Sequence, residues 1–195
     1  MPKLWDETIE AHRRQVRDVI MEAAATLATE RGPLNVTMSD VAQQAGIGRP
    51  TLYRYFSSIE EILQAWHDQQ IARHLDLLAG IADRAEPAAA RLEAVLDTYA
   101  EIQRQRTDHD AQPHGDELGA LLHHDDTDLA PAEKQLHDLL QNVIEHAVQE
   151  GHVRSDVAPT ELASYCLHAL NAASTAASKA GADRLVRLIL DGLRP

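Results

Sequence analysis

The stretch TMSDVAQQAGIGRPTLYRYF, residues 37–56, decides the fold of this chain. Thr37 is predicted to cap a short helix, because a threonine hydroxyl accepts a bond from a first-turn N–H and Asp40 stands at the capping-box position. The glycine-rich run 46–48 predicts a tight turn. Pro50 then opens a second short helix, since proline is tolerated in a first turn whose N–H groups have no intrahelical partners. Two short helices joined by a glycine turn indicate a helix-turn-helix.

The second helix of this unit has a buried and an exposed face. Leu52 and Phe56 are four residues apart and are predicted to pack on Val41 and Ala45. The second helix of a helix-turn-helix lies in the DNA major groove with its N-terminal residues facing base edges. Its exposed side chains offer guanidinium groups for guanine or phosphate, hydroxyls for phosphate oxygens, and a threonine methyl for thymine. The predicted DNA contacts are Thr37 at the start of the preceding helix, Gly48, Arg49, Pro50, Thr51, Tyr53, Arg54 and Tyr55, with core covering by Tyr53 and carboxylate pairing by Arg54 left open as alternatives.

Apolar residues repeat at intervals of three and four along the rest of the chain, and alternating β-branched runs are nearly absent. This pattern predicts an all-α fold of about nine helices. The first helix is predicted over residues 8–31, and Ser58 is predicted to cap the fourth with Glu61 as its box partner. Pro131 is predicted to open a later helix, and Gly181 to separate the last two. We therefore expect a three-helix head over residues 1–58 and a helical ligand-binding and dimerisation domain over residues 59–195.

The charge of the chain is unevenly distributed. It has 31 acidic and 18 basic residues, a formal net charge of −13, which for the whole chain argues against a polyanion as partner. Residues 1–59, however, hold seven basic and seven acidic residues, whereas residues 60–195 hold eleven and twenty-four. Because the head is neutral, its affinity for DNA is expected to come from a few placed cations and hydroxyls.

Residues 12–63 carry a combined pattern that is specific. Its marks are Arg31-Gly32, Val36-Thr37, Val41-Ala42, Ala45-Gly46-Ile47, the run TLYRYF at 51–56 and the run EEIL at 60–63. This pattern resembles the DNA-binding signature of the TetR family of bacterial transcriptional regulators. The resemblance implies a homodimeric repressor bound to a palindromic double-stranded operator. A small-molecule effector, unknown here, would bind the C-terminal domain, shift the fourth helix and release the paired recognition helices.

One position departs from the family pattern. The family usually has a lysine near the start of the fourth helix, where this chain has Ile59. One phosphate contact is therefore expected to be missing, and the N–H groups at the start of that helix are predicted to take its role. Together with the acid excess, Ile59 leaves open a second hypothesis, a helical small-molecule or metal-binding protein that has lost specific DNA binding.

The effector pocket is predicted between helices of the C-terminal domain, from side chains that are mostly apolar with a few polar groups. Core packing is the alternative role for each of them. Trp66 is singled out because it lies on the helix that joins the two domains. The predicted pocket residues are Trp66, Tyr99, Ile102, Leu121, Leu122, Leu139, Val143, His146, Tyr165 and Cys166.

The last two helices predict the dimer interface. Small residues form a stripe on the eighth helix and larger apolar residues form one on the ninth, which suits close approach of helices across a twofold axis. Packing within one chain is the alternative. The predicted interface residues are Ala169, Ala172, Ala173, Ala176, Ala177, Leu185, Leu188 and Ile189.

Metal, enzymatic and membrane roles are not favoured by the sequence. A metal-sensing or hydrolytic site is conceivable from the ligand chemistry of His109, Asp110, His114, Asp116, His123, His124, Asp125 and Asp126, but no helical pair at i, i+4 orders them. No catalytic triad order, phosphate-binding glycine loop or reactive thiol setting is found, so we predict no enzyme activity, cofactor or resident metal. The lone cysteine and the lack of an apolar run near the roughly 18 residues of a membrane span predict a cytoplasmic protein.

Overall fold

The computed structural model describes residues 2–110, 114, 117–118, 122, 126–172, 176 and 178–195. All regular structure in these ranges is helical, which confirms the predicted all-α class. None of the helices there combines the length and the apolarity that a bilayer crossing requires. The helices are α1 (Pro2–Arg31), α2 (Met38–Gln44), α3 (Arg49–Leu52), α4 (Ile59–Ala82), α5 (Ala88–Asp110), α6 (Asp126–Gln149), α7 (Pro159–Asn171) and α8 (Lys179–Leu193), with a short 3-10 turn at Pro33–Asn35.

Three helix boundaries differ from their predictions. α1 begins at Pro2, six residues before the predicted start. Pro131 lies inside α6 and does not open it, at the cost of one backbone hydrogen bond. Gly181 lies inside the first turn of α8, where its N–H donates to the hydroxyl oxygen of the capping residue Ser178 over 3.2 Å. Glycine at this position is therefore part of a capped helix start and not a break.

The chain divides into two compact units. The first comprises Met1–Gln70 with Asp110–His124, and the second comprises Ile71–His109 with Asp125–Pro195. This division falls within α4. The functional boundary predicted after residue 58 stays a prediction, because compactness does not test which residues bind DNA.

The core of the first unit is formed by α1, α2, α3 and the start of α4. Gly32 ends α1 with a φ of +82°, and a Cβ built there would lie 2.9 Å from His114 Nδ1 and from Glu117 Oε2. Both the backbone conformation and the available space therefore require glycine. The core side chains at or below 2% exposure are Ile20, Ala24, Leu27, Ala28, Val41, Leu52, Phe56, Ile62 and Leu63.

The second unit has its own core, formed by the C-terminal end of α4 together with α5, α6, α7 and α8. Two hydrogen bonds donated by backbone N–H groups connect its elements. Ala88 N donates to the side-chain Oε2 of Glu150 over 2.9 Å, and Arg154 N donates to the backbone oxygen of Leu193 over 2.8 Å. The larger side chains at or below 1% exposure are Leu78, Leu92, Leu96, Leu140, Ile144, Leu170, Val186 and Leu193.

We expect Leu52→Ala to lower the free energy of unfolding by about 2–5 kcal/mol, because it leaves a cavity in a fully buried site. Leu34→Ala is the matched control, since Leu34 is 78% exposed, and we expect a change within about 0.5 kcal/mol. Denaturant titration followed by tryptophan fluorescence, to which Trp66 in the same core contributes, measures both. Equal losses from the two substitutions would contradict this account of the core.

Candidate nucleic-acid interface

The start of α2 is held by the predicted capping box. Asp40 N donates to Thr37 Oγ1 over 3.2 Å, and Thr37 N donates to Asp40 Oδ2 over 3.0 Å. The Thr37 hydroxyl donates to the same carboxylate over 2.5 Å. These bonds, the hydroxyl first, hold the pKa of Asp40 below its ordinary value. A phosphate at Thr37 would therefore compete with a carboxylate already bound there, and the phosphate contact of Thr37 stays a prediction.

The turn between α2 and α3 depends on one glycine. Gly46 has a φ of +67°, the left-handed conformation that favours glycine. Its N–H donates to Gln43 O over 3.2 Å, and the following Ile47 N–H donates to Ala42 O over 3.0 Å. This pair of bonds is the Schellman arrangement that ends a helix and redirects the chain. It sets the direction in which α3 leaves the turn.

The recognition segment, residues 49–56, begins with a single helical turn. Gly48 caps α3 in an extended conformation without a side-chain bond. Its carbonyl accepts from Thr51 N over 2.9 Å and from Leu52 N over 3.0 Å. Successive turns continue through the segment, and Phe56 N donates to Leu52 O over 3.1 Å. The regular helix is short, so side-chain packing must hold the segment in place.

The two faces of the recognition segment are arranged as the spacing predicts. Leu52 and Phe56 are 0% and 1% exposed within the core of the first unit. Tyr53 is 50% exposed. Gly48, Arg49, Pro50 and Arg54 are exposed, whereas Thr51 and Tyr55 are half-buried. The segment therefore leaves two guanidinium groups and a phenol accessible. Their contacts with DNA stay a prediction.

The start of α4 is capped differently from its prediction. Ser58 Oγ accepts from Glu61 N over 3.2 Å, as expected of the cap. The Glu61 carboxylate, however, accepts from the N–H and the hydroxyl of Ser57, each over 2.7 Å, and these bonds lower its pKa. Glu60 accepts a bond from its own backbone N–H. The N–H groups of Glu60 and Glu61, two of those predicted to replace the missing lysine beside Ile59, are thus already bonded within the chain.

A groove of about 720 Å³ runs between α1 and the recognition segment. Sequence reasoning did not single out its α1 wall, although three arginines crowd residues 13–17 and signal a basic stretch there. The α1 residues of the groove are Ile9, His12, Arg13 and Val16, and those opposite are Ile47, Thr51, Arg54 and Tyr55.

The predicted effector-pocket residues do not form one cluster. Trp66 and Leu122 pack on the core of the first unit. In the second unit, Tyr99, Ile102 and Leu139 are partly buried against its core, and Val143 and Cys166 are at most 2% exposed within it. Burial raises the pKa of the Cys166 thiol to about 12, so the thiol stays protonated. His146 and Tyr165 are exposed, and Leu121 lies outside the described residues.

Sequence reasoning missed a series of hydrogen-bonded polar side chains that includes Tyr99. Gln103 Nε2 donates to Tyr99 Oη over 3.1 Å and to Asn171 Oδ1 over 3.0 Å. Burial raises the pKa of Tyr99, so its phenol is neutral at physiological pH. These groups on α5 and α7 are the kind of polar contacts that orient a ligand in an otherwise apolar site. The only sequence signal was the spacing of Tyr99 and Gln103, one helical turn apart.

The predicted eighth and ninth helices correspond to α7 and α8 of the structure. The residues predicted for the dimer interface differ in exposure. Leu188 is 65% exposed on α8, whereas Ile189 is 3% exposed and belongs to the core of its own unit. Ile189 is therefore buried within its own chain, and its place in a dimer interface stays a prediction. α7 ends at Asn171, so Ala172 and Ala176 follow the helix and the predicted stripe of small residues does not lie on one α-helix. Ala172 is exposed, and Ala169, Ala176 and Leu185 are partly buried; Ala173 and Ala177 lie outside the described residues.

Of the His and Asp residues considered as metal ligands, only His114 has a described side chain. His114 Nδ1 lies 3.5 Å from Glu117 Oε2. Within the described ranges, no group of three or more His, Cys, Asp or Glu side chains is arranged to hold an ion. Asp116, His123, His124 and Asp125 lie outside the described residues, as do the side chains of His109, Asp110 and Asp126.

Two family models match the chain. Residues 20–66 match the model of bacterial regulatory proteins of the tetR family. Residues 104–195 match the C-terminal domain of SbtR-like transcriptional regulators. The first match covers the helix-turn-helix, and the second covers α6, α7 and α8.

Relatives and solved structures agree with these matches. An HTH-type transcriptional repressor, KstR2 of Rhodococcus jostii, is 31% identical over 72% of this chain and 69% of its own length. An uncharacterised HTH-type transcriptional regulator of Mycobacterium tuberculosis is 38% identical over 44% of this chain; the match spans less than half of that relative, 43%. The crystal structure of a TetR/AcrR-family regulator from Thermobifida fusca superposes with a TM-score of 0.75 at 21% identity, covering 92% of this chain and 98% of that one.

The capping box makes the stability of the first unit dependent on pH. Because the pKa of Asp40 is lower in the folded chain than in the unfolded one, its contribution is present at neutral pH and disappears as the pH falls through the folded pKa. We expect Asp40→Asn to lower the thermal midpoint at about pH 7, and the difference from wild type to shrink below about pH 4. Circular dichroism melts at both pH values measure this. A difference that does not change with pH would contradict it.

Proposed function

This chain belongs to the TetR family of bacterial regulatory proteins, and on that premise we propose that it represses transcription as an effector-responsive homodimer on a palindromic operator. The helix-turn-helix would read the operator through the exposed side of the recognition segment. Release would follow when a small molecule binds the second unit. The family match and the repressor relative support this reading.

One observation carries the proposal: the recognition segment buries Leu52 and Phe56 completely while leaving Arg49, Tyr53 and Arg54 exposed. The segment thus keeps two guanidinium groups and a half-exposed phenol accessible next to its buried anchors. Arginine side chains bind guanine edges or phosphates, and tyrosine hydroxyls bind phosphate oxygens. The exposed side is therefore chemically suited to a DNA major groove.

The effector would bind among α5, α6 and α7. Tyr99, Ile102 and Leu139 are partly buried there against the core of the second unit, and Gln103 bonds both Tyr99 and Asn171. Apolar side chains beside this short series of hydrogen-bonded polar side chains suit a mostly apolar molecule that carries one hydrogen-bonding group. A coupling free energy of about 1–3 kcal/mol between effector and DNA would be enough for regulation.

Dimerisation would use the outer surface of α7 and α8. Leu188 is 65% exposed and Tyr165 is 47% exposed, so an apolar surface is available on both helices. Two heads related by a twofold axis would bind half-sites about one DNA turn apart. We assign no enzyme activity and no resident metal to the chain. The protein would act in the cytoplasm, where the bacterial chromosome lies.

Tyr53→Phe tests the DNA reading. We expect the loss of a phosphate hydrogen bond to weaken binding by about 1.5–3 kcal/mol per protomer. Fluorescence anisotropy on a duplex that the wild-type chain selects from a randomised library measures this. The melting temperature serves as the control and should not move, because Tyr53 is half-exposed. If the wild-type chain selects no duplex at low salt, the regulator proposal fails and a helical binding protein without DNA affinity takes its place.

Leu188→Asp tests the dimer surface. We expect the variant to sediment as a monomer at concentrations where the wild type is a dimer, because a carboxylate would be desolvated at the interface. Leu77→Asp is the matched control, since Leu77 is 50% exposed on α4, and it should leave the assembly unchanged. A Leu188→Asp dimer as tight as the wild type would remove α8 from the proposed interface.

A further inference from the structure

The α1 wall of the groove beside the recognition segment is a regular stripe. Ile9, His12, Arg13 and Val16 all line the groove, and their spacing of three and four places them on one helix face. The opposite wall includes Thr51 and Arg54, which belong to the predicted DNA contacts. Among the side chains that the structure describes, from residue 9 onward on α1, no carboxylate lines the groove. It is therefore an apolar floor between two cationic edges, and one edge is the recognition segment itself.

Arg17 continues this stripe by one turn beyond Arg13. Its guanidinium lies over the Phe56 ring, 4.5 Å from the ring centroid. Such stacking holds a cation in a defined position while its edge stays available for other contacts. Because Phe56 ends the recognition segment, Arg17 stands beside the start of α4, close enough to the Glu61 carboxylate to help lower the pKa of that group. Ile59 is located there, and the N–H groups of Glu60 and Glu61 are already bonded within the chain.

Arg13 has one partner within the chain. Its Nη1 lies 3.0 Å from Glu10 Oε1, in a pair where both side chains are about 60% exposed. Pairs this exposed are held weakly. A phosphate of a bound strand could replace or join the carboxylate without a desolvated charge being left behind.

We propose that the N-terminal half of α1 forms a second wall of the DNA interface, in which Arg13 and Arg17 bind backbone phosphates of the strand that flanks the recognition segment. This inference rests on the proposed function. The occupant is a DNA strand because the groove is continuous with the recognition segment and carries cations on both edges. Its apolar floor would lie under the deoxyribose groups. Arg17 supplies the cation that Ile59 does not.

Arginine-to-glutamine variants of the full-length chain test the second wall. We expect Arg13→Gln and Arg17→Gln each to reduce the slope of log affinity against log salt by about one per protomer. Binding should weaken roughly three- to tenfold on the selected duplex and by the same factor on a scrambled duplex of equal length, because phosphate contacts carry no sequence information. Arg14→Gln is the matched control, since Arg14 is exposed next to the stripe but does not line the groove. Its slope should stay at the wild-type value.

The outcomes separate this inference from the proposed function. If the wild-type chain binds its duplex and all three variants behave alike, the second wall is wrong and the regulator proposal stands. If the wild-type chain binds no duplex, the proposed function fails first. A loss of sequence discrimination with an unchanged salt slope would also overturn the phosphate assignment.

Two further variants protect the test from folding effects. Arg17→Lys keeps the charge but loses the planar stack on Phe56, and we expect it to restore the wild-type salt slope. A lysine variant as defective as Arg17→Gln, with a lowered melting temperature, would make Arg17 a structural residue only. Glu10→Gln releases Arg13 from its carboxylate and should tighten DNA binding, whereas Glu22→Gln, exposed elsewhere on α1, should tighten it less. Equal effects would count against Arg13.

Discussion

The burial of Leu52 and Phe56 is the constraint on which the head depends. α3 is one turn long, and a helix of that length has no stability of its own in water. Its position comes from two fully buried side chains, from the left-handed turn at Gly46 and from the capping box at Thr37. The direction of Arg49, Tyr53 and Arg54 follows from this anchoring. Any change that loosens the core thus alters the surface that we propose to contact DNA.

The positions of the charged side chains matter more for DNA binding by this protein than its net charge does. The chain carries a net charge of −13, and its first 59 residues are neutral. An acidic second unit would repel DNA and favour approach through the head. Within the head, Arg13, Arg17 and Arg54 lie around one groove and its end, so a small number of cations is concentrated where a backbone would pass. Such an arrangement favours specific over general affinity for DNA.

The predictions that the structure confirms depend on residues close together in sequence. The box between Thr37 and Asp40 spans one helical turn, and the pair Leu52 and Phe56 spans another, so local geometry determines both. The box at the start of α4 was half right: Ser58 caps the helix, but Ser57 offers two donors to Glu61 and takes its carboxylate. Periodicity predicted an apolar face for α8 but not how deeply each residue of that face is buried. Ile189 lies in the core, whereas Leu188 is exposed at the surface.

By itself the sequence determined the helical class, the helix-turn-helix, its buried pair and the neutral head, because each follows from spacing within a few residues or from composition. The tertiary structure decided which exposed cations stand together. Arg17 meets Phe56, and Arg13 faces Arg54 across a groove, over about forty residues of intervening chain. Such neighbours depend on how α1 packs against the recognition segment. Packing of that kind is set by the whole core, which no local pattern contains.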